Sequence, residues 1–179
     1  MHPRSRELSD YLDAQRAVLR EAFEAVPPAL RDQAPAPGRW SPAGIVEHLS
    51  LIEQRIAGLL LAKIMAARAA GLAEEPSIHP ILPSVDVAAV INRSVRVETP
   101  ALGAPTGLSA DAAWAALEQS RISLRNALQA GDGFALDTIT HPHPILGPLS
   151  AYQWFAFMGA HEARHAAQIR ETSEGVAPA

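Results

Sequence analysis

Apolar positions at helical spacing dominate the chain. Between Arg4 and Val26, Leu8, Tyr11, Leu12, Leu19 and Phe23 recur with Asp, Glu, Arg and Gln between them, until Pro27-Pro28 removes two backbone donors. The pattern predicts a first amphipathic helix. A connection rich in Pro and Gly, residues 34–38, leads to Trp40-Ser41-Pro42, where Ser41 suits an N-cap and Pro42 the first helical position. Ile45, His48, Leu49, Ile52, Ile56, Leu59, Leu60 and Lys63 follow in steps dominated by three and four, which predicts a longer second helix stopped at Gly71. His48 therefore lies on the stripe that faces a core.

Residues 74–108 break this rhythm with Pro76, Pro80, Pro83, Pro100, Pro105 and short β-branched runs such as Val95-Arg96-Val97-Glu98-Thr99. A structureless connection of that length is rare inside a domain, so a short helix near Val85–Arg93 or extended packing over the other helices is expected. Ser109 caps a third long helix and Gly131 ends it, with Trp114, Leu117, Ile122, Leu124 and Leu128 along its length. Residues 133–148 read as a loop containing His141-Pro142-His143-Pro144. Ser150 and Gln153 then form a capping-box pattern opening a fourth helix that reaches about Thr172. These elements predict an all-α fold over residues 1–179, one domain, built as an antiparallel or mixed four-helix bundle with a long crossover between the second and third helices.

Composition narrows the chemistry. There is no cysteine, so protein metal ligands are restricted to imidazole and carboxylate, and a cysteine nucleophile is excluded. A net charge of −4 with scattered arginines offers no basic face, which argues against nucleic acid as a partner. The start of the chain, Met1-His2-Pro3-Arg4, runs directly into a charged amphipathic segment, and no long uncharged apolar span follows. A cytoplasmic protein with no membrane partner is the expectation.

His161 and His165 stand four residues apart on the last predicted helix, so both imidazoles project from one face about a turn apart and can reach a common ion. Trp154 and Met158 share that stripe, which directs the pair inward. His48 occupies a core stripe on a different helix. Three buried imidazoles each need a hydrogen-bond partner or an ion, and one shared divalent cation of the Zn or Ni type satisfies all three while leaving a position for water or substrate.

The stretch from Trp40 through Ser41, Pro42, Glu47 and His48 to Leu49 resembles the second-helix signature of the DinB/YfiT-like superfamily. The C-terminal stretch from His141 to Ser150, leading into His161-Glu162-Ala163-Arg164-His165-Ala166-Ala167-Gln168-Ile169, is similar to the final helix of that superfamily and its approach. The resemblance implies a four-helix bundle with a long crossover, commonly dimeric, with a three-histidine metal centre mapping onto His48, His161 and His165. Some members are metal-dependent transferases or isomerases that use low-molecular-weight thiols such as bacillithiol or mycothiol. A homodimer acting on a small molecule is therefore expected.

Other residues have blander readings. His141 and His143 alternate with prolines, and turn geometry explains them at least as well as ligation. Glu47 and Glu162 each adjoin a proposed ligand, about 100° around the helix, where they read as second-layer or surface residues, with a solvated face the simpler assignment. Gln168 either lines the site or bonds a neighbouring helix. Trp40 suits the mouth of the bundle; Trp114 and Trp154 suit the core. Arg121 and Arg125 offer an anion site, or simply a solvated face. No residue stands out as a general base. Two functions stay open on this reading: a metal-dependent enzyme presenting a thiol or water to a small electrophile, and a non-catalytic metal-stabilised binding or structural bundle.

Overall fold

Helix boundaries fall where local chemistry puts them. The computed structural model describes residues 1–92 and 103–175. Its order is α1 (Pro3–Glu24), α2 (Pro42–Ala69), a short α3 (Val87–Ile91), α4 (Ala110–Ala130), a hairpin of β1 (Thr140–His143) and β2 (Gly147–Ser150), then α5 (Ala151–Gly175). Ser41 accepts from the Gly44 amide to cap α2, and Ser109 accepts from the Ala112 amide to cap α4. Ser150 and Gln153 bond reciprocally, Gln153 N to Ser150 Oγ at 3.2 Å and Ser150 N to Gln153 Oε1 at 2.9 Å, which is the expected capping box at the start of α5. At the end of α2 the Leu72 amide reaches back to the Ala67 carbonyl and the Gly71 amide to Arg68. Gly71 stands at φ +88°, a left-handed conformation that favours glycine and closes the helix in a Schellman motif.

Cross-helix contacts fix the directions. Along α1 and α5, Arg4 lies over the Tyr152 ring, Tyr11 abuts Gly159, and Arg16 pairs with Glu162, so residue numbers rise together and the two helices are parallel. Along α2 and α4, Glu53 pairs with Arg121 and Arg68 bonds the Ala130 carbonyl, so that pair is parallel too. Two parallel helices that follow one another need a return path about as long as a helix, roughly 30–40 Å at 1.5 Å per residue. That requirement explains the long crossover. The expected short helix within it is α3, which packs on α5; the Val95–Thr99 run lies outside the described residues.

One expectation is corrected here. Residues 133–148 are not wholly a loop, because Thr140–His143 pairs antiparallel with Gly147–Ser150, His141 opposite Leu149 and Pro142 opposite Pro148. Proline obscures a strand in the sequence because it cannot donate to a ladder, but a two-stranded ribbon tolerates it where no ladder bond is needed. The first helix also stops at Glu24, slightly before Pro27-Pro28, and those prolines open a 3-10 turn over Pro28–Leu30.

The buried apolar residues form two clusters. One contains Leu8, Leu12, Ile56, Leu60, Leu124, Leu128 and Phe155; the other contains Leu19, Phe23, Ile45, Leu49, Leu117 and Ile169. On α1, α2 and α4 the residues between them are Arg16, Glu53 and Arg121, and on α5 it is Glu162. Glu53 accepts from Arg121 Nε at 2.6 Å, from Arg16 Nη2 at 2.9 Å and from Ser120 Oγ at 3.0 Å. Glu162 Oε1 accepts from Arg16 Nε and Nη2, and lies 2.9 Å from Arg121 Nη2. Two arginines and two glutamates thus make an electrically balanced layer through all four long helices, dividing the core in two.

Candidate metal centre

The site begins with the ends of the bundle. Capping by Ser41 starts α2 so that His48 falls two turns in, on the side facing α5, where it is 4% exposed. The Ser150–Gln153 box starts α5 so that His161 and His165 fall on its inner side; His165 is buried and His161 retains an open edge. Contact between α2 and α5 brings the three imidazoles together. His161 Nε2 lies 3.1 Å from His165 Nε2 and 3.4 Å from His48 Nε2, and one nitrogen of each ring lies within 4.8 Å of the others.

Hydrogen bonds fix how the rings are presented. His48 Nδ1 lies 2.7 Å from the carbonyl oxygen of Gly103, which can only accept, so Nδ1 carries the proton and Nε2 the lone pair. His165 Nδ1 donates likewise to Gln168 Oε1 at 2.8 Å. Both lone pairs then converge on His161 Nε2, which can donate to only one of them. The cluster is rich in acceptors and short of hydrogens. Metal-ligating histidines commonly hold their remote N–H on a carbonyl or side-chain oxygen in this way.

Burial pushes the His48 pKa below its ordinary value, against the Gly103 carbonyl that favours the protonated ring. His161 is held well below the ordinary histidine value by burial and then by His165 and His48 beside it. Both rings are kept neutral, the form that binds a cation. With bonds of about 2.1 Å, two imidazole nitrogens on one ion stand roughly 3.0–3.4 Å apart at octahedral to tetrahedral angles, and the observed spacings of 3.1 and 3.4 Å match. The donor set, the tautomers and the two spacings about His161 fit a divalent ion, and the third pair, His48 with His165, lies within 4.8 Å. Around the rings, Phe157 stacks on His161 with centroids 5.5 Å apart, and Trp40 leans on His48 at 4.9 Å. Trp40 is half-buried at the mouth, as its place in the sequence suggests, while Trp154 is buried and donates to the His141 carbonyl.

His141 and His143 stay apart from the trio. His143 Nδ1 accepts from the Ile145 and Leu146 amides and so shapes the hairpin turn, and its ring meets Phe157 at 4.6 Å. A groove of about 550 Å³ lies nearby, lined by Asp32, Arg39, Trp40, Pro105 and Thr106 among others, and the histidines do not line it. Trp40 borders both places.

Three solvated-face assignments are corrected. Glu47 is 1% exposed, and its carboxylate accepts four hydrogen bonds, from the Thr106 amide and hydroxyl at 2.7 Å and from the Gly107 and Leu108 amides at 3.0 Å. Burial pushes its pKa up, but the bonds from Thr106, Leu108 and Gly107 outweigh that and hold it below the ordinary carboxylate value. Glu162 is 2% exposed and belongs to the charged layer. Arg121 is buried in the same layer and does not await an anion, whereas Arg125 is exposed and pairs with Asp13. All these partners lie far away in sequence, so nothing local announced them.

A family model described as the DinB superfamily matches residues 11–169. The uncharacterized protein YuaE of Bacillus subtilis (strain 168) is 24% identical over 145 residues, covering 81% of this chain and 84% of its own. Among solved structures, TT2238, described as a four-helix bundle protein, superposes with a TM-score of 0.63 at 20% identity, over 93% of this chain and 98% of that one. The fold is thus a known four-helix bundle, and no helix among the described residues is long and apolar enough to cross a membrane. With a match that spans the bundle from α1 to α5 and takes in all three clustered histidines, the chain belongs to the DinB superfamily.

Proposed function

We propose that His48, His161 and His165 hold one divalent ion, zinc or nickel, and that the protein is a metal-dependent transferase or isomerase using a low-molecular-weight thiol against a small electrophile. The observation that carries this reading is the convergence of three ring nitrogens, two of them fixed as lone pairs by Gly103 and Gln168. When bound, the ion supplies a Lewis acid that lowers the pKa of a thiol at its open position. The residues do the rest. Gly103 and Gln168 orient His48 and His165, Phe157 and Trp40 exclude water from two sides, and the open edge of His161 leaves an approach.

The carboxylates that adjoin the ligands favour a thiol over water. Glu47 is engaged by the 106–108 segment and Glu162 by Arg16 and Arg121, so neither is placed to act as a general base. A thiol, with a pKa near 8.5, needs less help to ionise than water does. The same engagement also suits a second reading, a metal-stabilised binding module without catalysis. A homodimer in the cytoplasm is part of the proposal, and light scattering tests the dimer.

Cobalt substitution separates the readings. Purified protein is expected to carry about one zinc or nickel per chain, and the cobalt form to develop a sulfur-to-metal charge-transfer band when a small thiol is added. His165→Ala should abolish the band and most of the affinity. Negligible metal uptake with no rise in melting temperature on adding any divalent ion would overturn the metal site. Uptake without a band would leave the binding module.

A further inference from the structure

We infer that Glu47 is a positioning residue for the histidine centre, acting through the crossover. Its four hydrogen bonds hold Thr106, Gly107 and Leu108 against the start of α2. Three residues upstream of Thr106, the Gly103 carbonyl meets His48 Nδ1 at 2.7 Å. No other acceptor for that N–H is seen among the described residues, and from Gly103, which sits in a 3-10 turn, to the start of α4 the chain at 104–109 has no helix or strand to hold it. A backbone carbonyl can fix a tautomer only as firmly as its segment is fixed. The buried carboxylate supplies that fixity from the residue next to His48, so one turn of α2 carries both the ligand and the clamp that orients it.

The chemistry of the clamp requires a carboxylate. Glu47 Oε1 accepts from the Thr106 amide and hydroxyl, and Oε2 from the Gly107 and Leu108 amides. A carboxylate offers two accepting oxygens, whereas a glutamine amide would turn its NH₂ either toward the Gly107 and Leu108 N–H donors or toward the Thr106 N–H, where only the Thr106 hydroxyl could reverse its role. Glu47→Gln therefore keeps the volume of the side chain but sets an NH₂ against at least one N–H of the clamp. With the segment released, His48 loses its bias toward the Nδ1–H tautomer, and its Nε2 lone pair is no longer assured. Partners of this kind set metal affinity by about 10- to 100-fold when removed.

The inference rests on the metal-site reading for its affinity arm but not for its tautomer arm, so the two can fail separately. Nitrogen-15 correlation spectra of metal-free protein are expected to show His48 as the Nδ1–H tautomer in the wild type and as a mixture in Glu47→Gln. Cobalt titration should give about tenfold weaker binding in the variant. Thr106→Val, which deletes one of the four bonds, is a milder variant expected to move both readouts in the same direction, and it serves if Glu47→Gln does not fold. Arg4→Ala, which breaks the Arg4–Glu75 pair beside Tyr152, controls for lost stability and should leave the His48 tautomer unchanged. If His48 keeps its tautomer in Glu47→Gln, or in Thr106→Val where the first does not fold, the positioning role is overturned and Glu47 is a structural clamp alone. If the wild type shows the expected tautomer and Glu47→Gln shifts it, but neither binds cobalt, the metal reading fails and the positioning role stands.

Discussion

Replacing Arg121 by methionine tests whether the charged layer is a single unit. Arg121 is 6% exposed; its guanidinium donates to Glu53 at 2.6 Å and to the Leu12 carbonyl at 2.8 Å, and lies 2.9 Å from Glu162. Hydrogen bonds to charged groups are each worth about 1.5–3 kcal/mol, so simple addition would overstate the loss, because methionine escapes the cost of burying a cation. The larger effect is on what remains. Arg16 alone would face two buried carboxylates, leaving one negative charge uncompensated, and breaking a buried pair from one side costs about 3–5 kcal/mol. For a chain of this length that corresponds to a melting temperature lower by about 10 °C, at roughly 2–4 °C per kcal/mol. Urea denaturation followed by circular dichroism at neutral pH gives the free energy directly. A loss below about 1 kcal/mol would refute the claim that the layer is desolvated and mutually dependent. Restoring neutrality with Arg121→Met and Glu162→Leu together should recover part of the loss, as expected if the uncompensated charge dominates.

At the α1–α5 contact, a Cβ on Gly159 would lie 2.5 Å from Tyr11 Cε1, so Gly159→Ala should destabilise by about 1–3 kcal/mol in urea despite alanine's better helix propensity; a gain in stability would show that the helices have room to part. Gln168→Leu removes the acceptor of the His165 Nδ1 proton and should weaken zinc binding by about tenfold in a competition assay with a chromophoric chelator, an unchanged affinity counting against that role. Acidification should destabilise the metal-free protein. His48 and His161 have folded pKa values depressed below 6.5 by burial, so the unfolded chain takes up protons first; their contribution is present above about pH 6.5 and is lost as pH falls through the folded values. Thermal melts in a chelator between about pH 7.5 and 5 check this, and a melting temperature that rises on acidification would contradict it.

Much of the bundle is determined locally, by chemistry a few residues wide. Ser41, Ser109 and the Ser150–Gln153 pair bond amides three positions away, and Gly71 relieves strain at its own φ angle, so the start of α2, α4 and α5 and the end of α2 follow from short stretches of sequence. Spacing alone also put His161 and His165 on one face, since a helix repeats nearly every four residues. What joins His48 to them is the packing of α2 on α5 across 113 residues of chain. The hairpin at 140–150 was hidden because its prolines argue against strands, and only pairing across the turn reveals it.

Tertiary structure alone decided the fate of the charged residues. Glu47, Glu162 and Arg121 look alike in sequence to any solvated side chain, because a charge is exposed or buried according to whether an opposite charge or a donor awaits it. For Glu162 that partner is Arg16, 146 positions away; for Arg121 it is Glu53, 68 away; for Glu47 it is a turn of the crossover beginning 59 residues later. Helical periodicity tells which face a residue occupies but not what the face meets. The parallel pairing of α1 with α5 and of α2 with α4 supplied those partners, and with them both the charged layer and the carbonyl that orients His48.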